Sequence, residues 1–139
     1  MITRRGLTTA VVATGLALVF ASPARADDFS GTYSLSLRGA PGAGTSWTAH
    51  STCEPSGSCV AHITSSTGWG ADAQLAGDRW TMMVARPDGQ SCPDGTRHAE
   101  LQIWTWDAAT LSGLVSGVST DHSACKMGPA DSFTLKAVG

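Results

Sequence analysis

Two cysteines that enclose a short turn segment constrain this sequence more than any other feature. Cys53 and Cys59 flank Glu-Pro-Ser-Gly-Ser, and the β-formers Trp, Thr, Val and Ile lie outside this segment. If the two arms pair so that Cys53 faces Cys59, then His50 faces His62. Strand side chains alternate between two faces, so one face of this pair is mainly apolar and the other mainly polar. The stretch therefore predicts a half-buried β-hairpin closed by a disulfide.

The first 26 residues are typical of an export signal. Arg4 and Arg5 precede an uncharged and almost wholly apolar run, and residues 24–26 (Ala-Arg-Ala) place small side chains where signal peptidase cleaves. The run is shorter than the roughly 20 residues of a membrane span. We expect residues 1–26 to be a signal peptide that is removed by the general secretory route. Twin-arginine export and a retained N-terminal anchor are the alternatives. Residues 27–139 then form a single secreted β-domain, extracellular or in the cell envelope.

The charge of the expected mature segment excludes some classes of partner. Three of the nine Lys and Arg residues belong to the signal, so residues 27–139 carry six basic and eleven acidic side chains, a formal charge of −5. A mildly acidic chain without a basic cluster argues against nucleic acid and anionic membrane partners. The segment contains no second apolar run long enough to span a bilayer. Its length suits one domain, which we expect to be a monomer.

All four cysteines lie in the expected exported segment, which predicts two disulfides. Four cysteines allow three connectivities. The hairpin register favours Cys53–Cys59, and Cys92–Cys125 then remains. No Cys-x-x-Cys spacing is present, so metal ligation by the cysteines is the weaker interpretation. The second disulfide closes the longer loop and should restrict the unfolded chain more.

Helix signals are nearly absent, whereas short runs of β-formers recur between turn residues. The predicted strands are 31–38, the two arms of the hairpin within 45–65, and then 72–75, 79–85, 96–106, 111–118 and 131–138. About eight short antiparallel strands indicate a small up-and-down β-barrel, with a two-sheet β-sandwich as the alternative. The barrel is favoured because the alternating terminal strands, which begin near Tyr33 and Phe133, could pair and remove both sheet edges.

Turn chemistry sets the expected connections between the later strands. Pro-Asp-Gly occurs at 87–89 and again at 93–95, and both copies predict turns. If Trp106 faces Leu111 across the next turn, Gly113 lies opposite the preceding tryptophan of the strand. A glycine at such a position leaves space for a large ring to lie flat on the sheet.

Four segments of this sequence carry a resemblance to known proteins. They are Asp-Phe-Ser-Gly-Thr-Tyr-Ser-Leu (28–35), Cys-Val-Ala-His-Ile-Thr-Ser-Ser-Thr-Gly-Trp (59–69), Asp-Arg-Trp-Thr-Met (78–82) and Trp-Thr-Trp-Asp-Ala-Ala-Thr-Leu-Ser-Gly (104–113). These segments resemble small exported β-domain proteins of mycobacteria and related actinobacteria. The resemblance implies export and a single domain, and it implies no particular activity. In outline, the strand meander is also similar to the calycin barrels, the lipocalins and avidins, in architecture alone.

His50 and His62 form the candidate metal site. Cross-strand neighbours lie about 5 Å apart at Cβ, which is close enough for two imidazoles to share Zn²⁺ or Cu²⁺. Such a site needs further ligands, and His98, Asp121 and His122 are the available candidates. The alternative is a pair of surface histidines on the polar face of the hairpin.

The sequence contains five tryptophans, which is many for a domain of this size. Four lie on predicted strands and are typical of a core, since each ring buries a large area. The alternative is an aromatic-lined pocket, to which Met82 would add lining. Trp69 lies between two glycines in a predicted turn, which indicates an exposed contact. The candidate ligand-binding residues are Trp47, Trp69, Trp80, Met82, Trp104 and Trp106.

These patterns favour a secreted, non-catalytic binding domain without a cofactor. Its expected partner is a small apolar or envelope-derived ligand in a Trp-lined interior. The alternative is a protein-interaction or cell-envelope module that uses the surface around Trp69. A metal-dependent or hydrolytic enzyme is a third hypothesis, and no residue is assigned a catalytic role. The sequence contains no Gly-x-Ser-x-Gly, His-Glu-x-x-His or phosphate-binding glycine loop.

Overall fold

Eight antiparallel strands form a closed barrel. The computed structural model describes residues 28–38, 40–120, 125–126 and 128–138, so the expected signal segment lies outside the described residues. The strands are β1 (Gly31–Leu37), β2 (Ala40–Cys53), β3 (Cys59–Ser65), β4 (Gly70–Ala76), β5 (Arg79–Ser91), β6 (Arg97–Asp107), β7 (Ser112–Ser119) and β8 (Asp131–Ala137). Each strand pairs with the next, and β8 pairs with β1. The predicted up-and-down barrel is confirmed.

The described residues are all strand, turn and irregular structure, without helix. Among them there is accordingly no helix with the length and apolar character needed to cross a membrane.

The β2–β3 hairpin has the register that its cysteines predicted. Cys53 lies opposite Cys59 and His50 lies opposite His62. The Cys53–Cys59 disulfide is present, as is the second predicted disulfide, Cys92–Cys125. Cys59 is buried on the inner face of the barrel. The disulfide joins the last residue of β2 to the first residue of β3 and so closes the turn between them. Both predicted disulfides are therefore confirmed.

The terminal strands close the barrel as their alternation predicted. In the β1–β8 ladder, Tyr33 faces Ala137 and Leu35 faces Leu135. Tyr33, Leu35 and Leu135 are buried in the interior. Because every strand has a neighbour on both sides, the sheet presents no open edge.

Strand β5 is longer than predicted, because its Pro-Asp-Gly segment at 87–89 continues the strand instead of turning it. Arg86 faces Glu100, and the next pair is Gln90 with His98, so four residues of β5 advance where β6 advances two. This irregularity is a bulge, a place where a proline without an N–H is tolerated within a sheet. The second copy, at 93–95, does form the predicted turn, closed by hydrogen bonds between Cys92 and Thr96 and between Gly95 and Cys92.

The β6–β7 register differs from the predicted one by two residues. Trp106 faces Gly113, and Trp104 faces Val115. The difference arises because Leu111 lies in the turn with a left-handed backbone, at φ 57°, and does not pair with Trp106. A shift of two residues keeps every side chain on its predicted face, so the inward direction of both tryptophans is unchanged.

Aromatic side chains fill one end of the barrel. Phe29, which precedes β1, stacks on Tyr33 with ring centroids 4.4 Å apart. The same ring lies 5.8 Å from Trp80 and 5.5 Å from Trp106. Phe29, Trp80 and Trp106 are all buried, so this end is plugged by the segment that leads into the first strand. We call it the plugged end.

Candidate ligand-binding site

A cavity of about 460 Å³ lies at the end of the barrel opposite the plug. Here β1, β3, β5 and β7 end, and β2, β4, β6 and β8 begin. Three tryptophans from different parts of the sheet line the cavity, namely Trp47, Trp69 and Trp104. We call this cavity the Trp pocket. The interior of an eight-stranded barrel is either filled by side chains or wide enough for one small ligand. In this barrel, side chains fill the half at the plugged end, and the other half contains the cavity.

The three rings of the Trp pocket contact one another. Ring centroids of Trp47 and Trp104 are 5.0 Å apart, those of Trp47 and Trp69 are 5.6 Å apart, and both pairs meet edge to face. Trp69 and Trp104 lie 6.4 Å apart in a tilted arrangement. Edge-to-face contacts of this kind stabilise aromatic clusters beyond simple burial. The cluster is therefore a preformed aromatic wall.

Trp69 points into the barrel and is not the exposed contact that its two flanking glycines indicated. The Ser65 N–H donates to the Trp69 carbonyl at 2.8 Å, which extends the β3–β4 ladder by one more pair. The side chain of Trp69 therefore follows the face of Ala71 and Ala73, and Ala73 is fully buried. The ring is partly buried against the core.

The other tryptophan candidates divide between the pocket and the filled half. Trp47 and Trp104 line the cavity, as the ligand hypothesis requires. Trp80, Met82 and Trp106 pack within the core and are not among the lining residues. The expectation of a Trp-lined interior thus applies to the pocket end of the barrel, whereas the remaining three candidates pack in the core away from the cavity.

Polar side chains from β5 and β6 also line the Trp pocket, beside Trp104. Glu100 is only 8% exposed, and its Oε1 accepts a hydrogen bond of 2.6 Å from the Gln102 Nε2. Gln90 is 6% exposed and donates from Nε2 to the Cys125 carbonyl at 2.8 Å. The Oε1 atoms of Gln90 and Gln102 are buried without a hydrogen-bond partner. These residues were not predicted as site residues, although the alternation of Glu100 and Gln102 with Trp104 places them on the same face.

The rim of the pocket carries charged side chains. Arg38 and Asp131 form an ion pair with a nitrogen–oxygen distance of 2.6 Å. Lys126 also lines the cavity and is exposed to solvent. The Cys92–Cys125 disulfide and the Gln90–Cys125 hydrogen bond hold this part of the chain beside β5. The disulfide thus holds the part of the rim that contains Lys126 covalently to the end of β5.

The histidine pair lies apart from the Trp pocket, on exposed positions of β2 and β3. The His62 Nδ1 lies 2.7 Å from the Asp72 Oδ1 across the β3–β4 ladder. His98 is on β6, which β4 and β5 separate from β3. In the described residues, no group of three or more His, Cys, Asp and Glu side chains is arranged to hold a metal ion. Two of the candidate further ligands, at 121 and 122, lie outside the described residues.

Comparison of the chain with protein-family models, with curated proteins and with solved structures gives no match.

Proposed function

We propose that this chain is an exported, non-catalytic binding domain that holds one small ligand in the Trp pocket. The observation that carries the proposal is a cavity of about 460 Å³ walled by Trp47, Trp69 and Trp104 in a barrel whose other half is filled. This volume falls in the range of small-molecule sites, roughly 300–1,000 Å³. Such sites combine an apolar wall with a few polar groups, and the polar side chains of β5 and β6 supply these.

The disulfides support the exported location within this proposal. Two disulfides are typical of proteins that fold in an oxidising compartment. The surface module around Trp69 has less support, because that ring contacts Trp47 inside the barrel and is only partly accessible. The same residue therefore contributes to recognition from inside the pocket in our proposal.

Native mass spectrometry of the protein purified from the medium of an exporting host tests this function. We expect an additional mass that is lost on denaturation. Trp69→Ala removes one pocket wall and should lose the adduct, whereas Met83→Ala, on the exposed outer face of the same barrel, should keep it. An adduct-free mass for all three proteins, with no change in tryptophan fluorescence on adding a small-molecule extract of the culture, would contradict the proposal.

A further inference from the structure

The two unpartnered oxygens in the Trp pocket are hydrogen-bond acceptors whose identity is fixed by their neighbours. Side-chain amides are often ambiguous, because nitrogen and oxygen look alike. Here the nitrogen of Gln90 must face the Cys125 carbonyl, which can only accept, at 2.8 Å. The nitrogen of Gln102 faces the Glu100 carboxyl at 2.6 Å. The remaining atom of each amide is therefore a carbonyl oxygen, and both are buried.

The distribution of unpartnered groups makes these acceptors specific to the pocket. Indole N–H groups without partners occur on Trp80 and Trp106 in the filled half as well as on Trp47 and Trp104. By contrast, every buried side-chain acceptor without a partner, within the described part of the chain, belongs to the pocket lining. A buried acceptor that forms no hydrogen bond costs free energy, because it has lost its contact with water. The two acceptors thus give the pocket a polar feature that the filled half lacks, and a ligand that donates hydrogen bonds would satisfy them.

Glu100 adds negative charge to this acceptor set. Its carboxyl group is nearly buried, and among the described residues it accepts one hydrogen bond, from Gln102. Within the described part of the chain, the ion pairs are Arg38–Asp131 and His62–Asp72, so Glu100 pairs there with no cationic side chain. A buried carboxylate is stabilised when a cation that donates hydrogen bonds approaches it.

The aromatic wall favours the same ligand. A ligand cation within about 6 Å of a tryptophan centroid is attracted by the ring quadrupole, and tryptophan is the best of the aromatic side chains for this contact. Three such rings lie in the pocket wall, within 6.4 Å of one another. The wall also offers apolar area to the rest of the ligand.

We propose that the Trp pocket takes small organic cations with N–H donors, of the ammonium or guanidinium class, attached to an apolar or aromatic body. This inference rests on the proposed binding function and specifies its ligand. The donors would face Glu100 and the carbonyl oxygens of Gln90 and Gln102, and the body would lie against the tryptophans. Arg86 and Lys126 also line the pocket, but neither is ion-paired with Glu100, so a ligand need not displace an existing pair.

Three probes that share one ring and differ in the head group test this inference by calorimetry. They are 2-phenylethylammonium, neutral 2-phenylethanol and anionic 3-phenylpropionate. We expect the ammonium to bind most tightly, the alcohol more weakly and the carboxylate least. Glu100→Gln keeps an acceptor for Gln102 and removes the charge, so it should weaken ammonium binding about tenfold and leave the alcohol unchanged. Glu54→Gln is the matched control, because this exposed carboxylate lies in the β2–β3 turn at the other end of the barrel and does not line the pocket.

The outcomes separate this inference from the proposed function. Equal binding of all three probes, or a preference for the alcohol or the carboxylate, overturns the cation inference while the pocket still binds ligands. Binding of none at millimolar concentration also overturns it, and the native mass spectrum then decides the proposed function independently. An equal loss in Glu100→Gln and Glu54→Gln would show that only the total charge of the protein matters, and it would likewise overturn the role of Glu100.

Discussion

Arg86 and Glu100 face each other across the β5–β6 ladder without forming an ion pair. The bulge that follows Arg86 packs against both side chains. A Cβ atom added to Gly89 would lie 2.6 Å from the Glu100 Cγ and 2.7 Å from the Arg86 Cβ, so the backbone of Gly89 packs against the stems of both side chains. The bulge therefore restricts where the carboxyl-bearing side chain of the pocket can lie.

Gly89→Ala should destabilise the fold and displace Glu100. The added methyl group meets Glu100 Cγ and Arg86 Cβ at distances that real Cβ contacts do not show, so side chains or backbone must shift. Overpacking of this kind costs about 1–3 kcal/mol. Urea unfolding followed by circular dichroism measures the loss. Gly128→Ala is the control, since its Cβ would meet nothing within 4 Å, and a similar loss there would contradict the steric explanation.

Trp69→Ala and Trp106→Ala should separate binding from stability. Trp106 is fully buried in the filled half, and its truncation should lower the free energy of unfolding by about 3–5 kcal/mol. Trp69 is partly buried at the cavity, so its truncation mainly enlarges the pocket and should cost roughly 1–2 kcal/mol. Chemical denaturation followed by circular dichroism compares the two variants. Equal losses would show that Trp69 is a core residue.

Removal of the Cys92–Cys125 disulfide should cost more stability than removal of Cys53–Cys59. The two bonds span 33 and 6 residues of sequence separation. In the chain-entropy model these loops correspond to about 4 and about 2 kcal/mol. Paired Cys→Ser variants and denaturant unfolding measure the difference. If the short-loop variant is the less stable one, native contacts at the hairpin outweigh the unfolded-state entropy.

Asp107→Asn should lower stability at neutral pH and have little effect in strong acid. Hydrogen bonds from the backbone N–H groups of Thr110 and then Ala109, both 2.8 Å long, hold the pKa of Asp107 below its ordinary value. A carboxyl group whose folded pKa is depressed stabilises the fold above its unfolded pKa, near 4. That contribution disappears as the pH falls through the folded value.

Thermal unfolding at pH 7 and near pH 2 tests the Asp107 prediction. The melting temperature of the variant should lie below that of the wild type at pH 7 and approach it near pH 2. Asp78→Asn is the matched control from the neighbouring turn, because the Asp78 carboxylate accepts no hydrogen bond within the described part of the chain, and only its backbone carbonyl accepts one, from Ala108. A difference for Asp107→Asn that stays constant with pH, or one no larger than that of Asp78→Asn at pH 7, would exclude the charge as the cause.

The hairpin around Cys53 and Cys59 could be predicted because all of its determinants are local. The turn segment, the alternation of the arms and the cysteine pair lie within one short stretch, and together they define one register. Barrel closure was predictable for a related reason. The alternation around Tyr33 and Phe133 gives each terminal strand one apolar face, and pairing the two strands buries both faces.

The two Pro-Asp-Gly segments show where local chemistry stops being sufficient. Both have the same turn residues, yet only residues 93–95 turn the chain, whereas residues 87–89 form a bulge within β5. The residue after the bulge takes part in a long-range contact, since Gln90 donates to the carbonyl of Cys125, which lies 35 residues away. Gln90, one of the two acceptors of the pocket, directly follows that bulge. The sequence alone therefore did not indicate these acceptors.

The inward direction of Trp69 was unpredictable for the same physical reason. Its flanking glycines favour a turn, and the chain does turn there, with Gly68 at φ 98°. The direction of the ring is decided by the extra ladder contact between Ser65 and Trp69, which depends on the alignment of β3 with β4. Turn composition carries no information about that alignment.

The pairing of β1 with β8 also decides how the domain can be attached to other structures. Gly31 begins β1 beside Ala49, and the Val138 N–H donates to the Thr32 carbonyl at 2.9 Å, so both described ends of the chain emerge at the plugged end. The Trp pocket opens at the opposite end. A tag, a tether or a neighbouring domain joined at either end would leave the entrance uncovered. A short linker between the two ends would likewise allow circular permutation, with new ends at a hairpin turn, and the linker would not cross the binding site.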